Sequence, residues 1–322
     1  MKGGTRCRWG NPAVRVNTRR ILAALRVAAA PLLLLIILLL VDLGEIAASF
    51  GQIRLLPFAG AVSLVTVNFA VQIIKWRYLL SESAQVTRGE LIRSVIGGYA
   101  FVLVIPGRMG EFSRALFIPG ESKLKLMGLV AIDKLSGFSI IVLMSSLSLA
   151  LLYPGLFYLP IMGILGLFVL IASRPQFLKV GAQKLSRLLR LRDKVSLFLE
   201  GIQTLSSRRI VVLLLMSFLY FLVYSTQFYL LVLAFEQVEL RVMAICFPLV
   251  MLVNSLPITV GGLGVREGAA VLFFSRFGIQ SPSALGAALL LFTINILIPG
   301  LCGLVFVHQI GSKPKPLTEK NP

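Results

Sequence analysis

Six stretches of the chain are apolar over lengths that match a bilayer: 22–41, 57–80, 127–152, 156–172, 210–235 and 284–307. A helix of about 20 residues crosses a hydrocarbon core of about 30 Å. In lipid the backbone must satisfy its own hydrogen bonds, which a helix does. So many such stretches in 322 residues leave little chain for a soluble domain. Only 14% of the residues are charged and 57% are hydrophobic, whereas soluble domains carry about 25% charged residues. The expected fold class is an all-α polytopic membrane protein. The first stretch has a basic leader and an Ala47-Ala48 pair, as a signal peptide would. Its apolar run from 23 to 41 is long for a signal's hydrophobic region, so it reads as an uncleaved span.

Two further regions, 94–119 and 242–278, are apolar but interrupted. Each reads as an apolar arm, a Gly-rich break and a returning arm. In the first, residues 95–106 would make a helix of only about 18 Å, roughly half a bilayer core. The chain then turns at Pro106-Gly107-Arg108-Met109-Gly110. The second turns within 259–264 and has longer arms, so it is either re-entrant or a full helical hairpin. In order, the elements run span, span, broken hairpin, span, and then the same series again from the opposite side. This is the pattern of an inverted-topology repeat. The organisation expected is a basic arm at 1–21, a membrane domain at 22–308 and a tail at 309–322. The halves are 22–152 and 156–308, with a basic linker at 173–209 whose Leu and Phe spacing suits an interfacial helix.

The charge balance is 32 Lys and Arg against 13 Asp and Glu, a net +19. In a soluble chain that would suggest nucleic acid. Here 25 of the basic residues fall in segments on one side of the predicted topology, and Arg54 and Arg241 alone fall in the loops on the other. The positive-inside rule then places both termini in the cytoplasm, in a membrane of the bacterial inner type, with no nucleic-acid partner. One histidine, His308, and three scattered cysteines, Cys7, Cys246 and Cys302, offer neither a metal-ligand cluster nor a catalytic triad. No metal, cofactor or enzymatic activity is expected.

Among the charged residues left in or beside the apolar regions are Arg108, Glu111, Arg114, Asp133, Lys134, Arg266 and Glu267. A lipid-facing charge at mid-bilayer costs at least about 2.5 kcal/mol, so these should face a cavity, reach an interface or pair. Arg108 or Arg114 with Glu111, and Arg266 with Asp133, are the pairings expected. Gly107, Gly110, Gly261, Gly262 and Gly264 permit turns and expose backbone amides. A helix N-terminus after each break, with arginines alongside, suits an anionic group such as phosphate. The candidate headgroup site is therefore Gly107, Arg108, Gly110, Glu111, Arg114, Gly261, Gly262, Gly264, Arg266 and Glu267, with Asp133 and Lys134 as an adjoining charge network. Glu111 and Glu267 either hold the arginines or recognise a cationic headgroup, and a zwitterionic or aminoacylated phospholipid would use both signs. Asn68 and Gln72 share a helix face and lead into Lys75-Trp76-Arg77, which reads as an interfacial anchor. Asn254 stands before the second break, and Asn295 before a kink at Pro299-Gly300.

The stretches Lys75-Trp76-Arg77, Ile105-Pro106-Gly107-Arg108-Met109-Gly110-Glu111 and Leu256–Gly268 resemble the flippase-like transmembrane region of the lysylphosphatidylglycerol synthase family. The third, reading LPITVGGLGVREG, is the most specific, and the resemblance runs from the first span to the last. It implies a module that moves lipid between leaflets, with a phospholipid or polyprenyl-linked lipid handled at the two Gly-rich elements. In the full-length synthases a soluble domain follows that transfers lysine from tRNA. Here 15 residues follow Val307, so that activity is not expected of this chain. Two other functions are consistent with the residues: a membrane-embedded enzyme on a lipid phosphate, using Glu111, Asp133 or Glu267, and an accessory subunit of a separate lipid- or glycan-modifying transferase.

Overall fold

The computed structural model describes residues 53–105, 109–153, 206–256, 259 and 261–307, with isolated positions at 51 and 198. The predicted spans at 22–41 and 156–172, the arms at 1–21 and 309–322 and most of the basic linker lie outside the described residues.

Among the described residues every regular element is helical. Four long apolar helices have the length and composition to cross a membrane. They are α1 (Leu55–Leu80), α3 (Lys123–Leu152), α4 (Ser207–Phe235) and the continuous run of α7 (Ser281–Phe292), a π-turn (Thr293–Leu297) and α8 (Ile298–Val307). The outward faces of α4 and α8 carry Leu215, Leu219, Leu222, Leu301, Leu304 and Val305, all exposed. Apolar side chains on the outside of a helix bundle match a lipid surrounding.

Short helices fill the interrupted regions. α2 (Arg88–Val102) leads into a long 3-10 helix (Met109–Phe117), and α5 (Leu240–Asn254) leads into α6 (Val265–Ser275). Thr87 and Glu90 form a reciprocal capping box that starts α2. In each pair the second helix packs back on the first. The close return in the first pair depends on Gly110, where a Cβ would lie 2.4 Å from the Phe101 and Val102 backbone. In the second, Gly261, Gly262 and Gly264 have φ of +62°, +76° and +83°, a conformation that costs other residues about 1 kcal/mol or more each.

α1 and α4 lie antiparallel, as three sets of bonds along their length show. Arg54 N–H donates to Ala234 O (2.9 Å) at one end, and Asn68 to Gln227 (2.6 Å) in the middle. Arg209 meets Ser81 (2.6 Å) and Glu82 (3.0 Å) at the other end. α3 runs beside α5, and α8 runs beside α2. At the first of these contacts, Pro248 has no N–H, so Ala244 O loses its partner within α5. The Ser148 hydroxyl of α3, shared with Met144 O of its own helix (2.9 Å), reaches that oxygen (3.3 Å), and Ser145 donates to Pro248 O (2.8 Å). At the second contact, a Cβ on Gly303 of α8 would sit 2.3 Å from Ile96 O of α2. Two buried clusters make the core. One centres on Trp76, Leu91, Leu126 and Leu129, and the other on Phe228, Phe247, Phe274 and Leu291.

Candidate functional site

A cavity of about 340 Å³ opens between α1, α2, the 3-10 helix, α3, α4, the end of α5 and the π-turn. Its apolar wall includes Phe138, Phe221, Met251 and Ile296. Its polar side is built on Asp133, which is buried and held by two cations, Lys75 at 2.9 Å and Arg114 at 2.5 Å.

Each member of this cluster is fixed by its own element. Lys75, from α1, also donates to Ser217 of α4 (2.5 Å), which in turn donates to Ser136 (2.9 Å). Arg114, from the 3-10 helix, stacks over Trp76 with its guanidinium 4.3 Å from the ring centroid. The Trp76 N–H donates to Ser94 (3.0 Å), and Ser94 donates to Arg114 O (2.7 Å), which ties α1, α2 and the 3-10 helix around the arginine. Lys134, half-exposed, pairs with Glu111 at the cavity edge. A neutral network completes the lining: Tyr99 donates to Gln72 (3.0 Å), and Gln72 reaches Tyr220 (3.5 Å).

The site residues expected from sequence divide between two places. Glu111, Arg114, Asp133 and Lys134 line the cavity. Gly110 supports it from behind, against the α2 backbone. Gly261, Gly262, Gly264, Arg266 and Glu267 are not among its lining residues. Arg266 and Glu267 are wholly buried against each other instead, at 2.5 Å. Gly107 and Arg108 lie outside the described residues. The two Gly-rich elements do approach one another: the virtual Cβ of Gly261 is 3.9 Å from Val102 O, beside the peptide that Gly110 touches.

Three expectations are corrected. Of the two arginines expected at Glu111, Arg114 pairs with Asp133 instead, because the 3-10 helix carries it onto Trp76 beside α3, and Arg108 lies outside the described residues. Arg266 pairs with its neighbour Glu267 and not with Asp133. Side chains one residue apart usually diverge on a helix, but Glu267 lies in the first turn and reaches back to the Gly264 N–H (2.6 Å), where the Arg266 guanidinium meets it. Lys75 and Trp76 are buried inside the protein and are not an interfacial anchor, whereas Arg77 is exposed.

Sequence reasoning missed Lys75, Tyr99, Ser217 and Tyr220 as cavity residues. A signal for Lys75 was present, because Asn68, Gln72 and Lys75 continue one helix face at i, i+4 and i+7. Asn295 is in the lining, presented by the π-turn, and its amide donates to Leu291 O (3.1 Å). π-turns of this kind recur at functional sites.

Apolar spanning helices around a charged internal cavity define a helical integral membrane protein. The model of the family described as "Lysylphosphatidylglycerol synthase TM region" matches residues 21–303, and the chain belongs to that family. No curated protein matches the chain at a significant level.

Proposed function

We propose that this protein binds an anionic or zwitterionic lipid by its headgroup and moves it between leaflets. The observation that carries the reading is the cavity itself, with a cationic cluster on one side and an apolar wall on the other, enclosed by membrane-spanning helices. A lipid presents the same two chemistries, a charged headgroup and hydrocarbon. The charged groups are costly in a membrane interior, and a ligand role accounts for keeping them around an open volume and not in a closed core.

The packing supports an inverted repeat as the moving framework. Under that reading α1 corresponds to α4, and these two lie antiparallel. The last span of each half packs on the first arm of the other half's broken hairpin, α3 on α5 and α8 on α2. Six spans and two broken hairpins would complete the architecture, with both termini in the cytoplasm of a bacterial-type inner membrane. Reciprocal contacts between equivalent elements allow one half to rock against the other about a central site, as alternating access requires.

The test is a leaflet-asymmetry assay with the purified protein in vesicles containing fluorescent phospholipids. Redistribution between leaflets faster than in protein-free vesicles is expected. Unchanged distribution across phospholipid classes and ion gradients would defeat the proposal.

A further inference from the structure

We infer that the cavity selects a lipid whose headgroup carries net negative charge, a phosphodiester with a neutral hydroxyl-bearing substituent, and rejects an aminoacylated headgroup. This rests on the lipid-binding reading above and narrows it by the charge balance of the site.

Among the described residues the cavity is lined by three cations, Lys75, Arg114 and Lys134, and two carboxylates, Glu111 and Asp133, which leaves one positive charge in excess. Both carboxylates are engaged. Asp133 is held from two sides by Lys75 and Arg114, and Glu111 by Lys134. An ammonium group entering the cavity would have to displace a protein cation before it met a carboxylate, and it would add to a positive field. An anion meets the opposite situation. Lys75 and Arg114, both buried, share the single charge of Asp133. Lys134 stands off from Asp133 at 3.9 Å, beside Glu111, and a phosphodiester balances the remaining positive charge. At an effective dielectric of about 20, one unit charge a few Å away changes affinity by about tenfold or more.

The rest of the polar lining is uncharged. Gln72, Tyr99 and Tyr220 are linked to one another, and Asn295 stands on the π-turn. Amides and phenols hydrogen-bond hydroxyl groups and carry no negative charge to offset an ammonium. The pair Arg266–Glu267 does not alter the balance, because the two neutralise each other with no exposed surface.

The experiment uses the full chain in nanodiscs of phosphatidylcholine. Binding is measured for phosphatidylglycerol, lysylated phosphatidylglycerol and water-soluble glycerol 3-phosphate. Phosphatidylglycerol is expected to bind at least about tenfold more tightly than the lysylated lipid. The Lys75→Gln variant removes the surplus charge, keeps the Arg114–Asp133 pair and can still hydrogen-bond Ser217. It should lose that preference while melting within a few degrees of the parent. The Glu111→Gln variant adds a positive charge and should tighten phosphatidylglycerol binding, which gives a second readout if Lys75→Gln fails to fold. Equal or tighter binding of the lysylated lipid, or a folded Lys75→Gln variant with unchanged preference, overturns the inference and leaves the lipid reading standing. Glycerol 3-phosphate binding as tightly as phosphatidylglycerol supports the anion site and overturns the lipid reading. Binding of none of the three overturns both.

Discussion

The Arg266 guanidinium and the Glu267 carboxylate, adjacent in sequence, lie 2.5 Å apart with neither side chain exposed. Glu267 also accepts the Gly264 N–H (2.6 Å), so one carboxylate neutralises a buried cation and caps α6. The guanidinium rests 5.4 Å from the Phe292 centroid. Removing one member of such a pair leaves an uncompensated buried charge, which typically costs about 3–5 kcal/mol. Glu267→Gln should therefore lower the melting temperature sharply. Arg266→Met combined with Glu267→Gln should recover much of the loss, because no charge remains. Thermal denaturation in detergent would compare the three, and a single variant as stable as the parent would contradict the pairing.

The cavity cluster predicts an order of sensitivity. Asp133→Ala leaves Lys75 and Arg114 buried with no carboxylate between them, whereas Lys75→Met leaves the neutral pair Arg114–Asp133. The first should destabilise by about 3–5 kcal/mol and the second by clearly less. Melting curves of both variants, read beside their expression levels, test the order. The reverse order would place the weight of the cluster on Lys75.

Much of the scaffold is legible in the sequence. The stretches expected at 57–80, 127–152, 210–235 and 284–307 are the helices Leu55–Leu80, Lys123–Leu152, Ser207–Phe235 and the run Ser281–Val307. Three of these helices start earlier than their apolar stretches because the first turn holds Lys123, Ser207 or Ser281, which hydropathy passes over and helix N-termini accept. The site is less legible because its bonds are long-range. Lys75 meets Asp133 and Ser217 across separations of 58 and 142 residues, and no local pattern encodes that register. The depth of Lys75 is also hidden. Beside Trp76 and Arg77 it counts as one more orienting cation, yet its ammonium is inside the protein.

Close helix approach gives a third expectation. A methyl group on Gly303 would lie 2.3 Å from Ile96 O, so Gly303→Ala must push α8 off α2. Overpacking of this kind costs about 1–3 kcal/mol. Gly137, in α3, has nothing within 4 Å of its virtual Cβ, and Ala there should be neutral or stabilising by up to about 1 kcal/mol. Opposite shifts of melting temperature for the two variants would confirm the packing, and equal shifts would refute it.

A double-mutant cycle can isolate the bond that compensates Pro248. Ser148→Ala deprives Ala244 O of the hydroxyl that serves it, at a cost of about 0.6 kcal/mol. Pro248→Ala restores a backbone N–H four residues along α5, so Ala244 O regains a helical partner. In that background Ser148→Ala should cost less. Additive effects of the two substitutions would mean that Ser148 does not stand in for the missing donor.

The antiparallel pairing of α1 and α4 fixes which loops share a side of the membrane. Gln85 follows α1 at the end where Arg209 meets Ser81 and Glu82, and Gln237 follows α4 at the end where Arg54 meets Ala234. Both glutamines are exposed. The basic residues of the sequence favour the Gln85 side as cytoplasmic. With the three native cysteines replaced by alanine, Gln237→Cys should react with a membrane-impermeant maleimide added to intact cells. Gln85→Cys should react only after the membrane is opened. The opposite pattern would invert the orientation while keeping the helix pairing, whereas labelling of both from outside would rule out α1 and α4 as antiparallel spans.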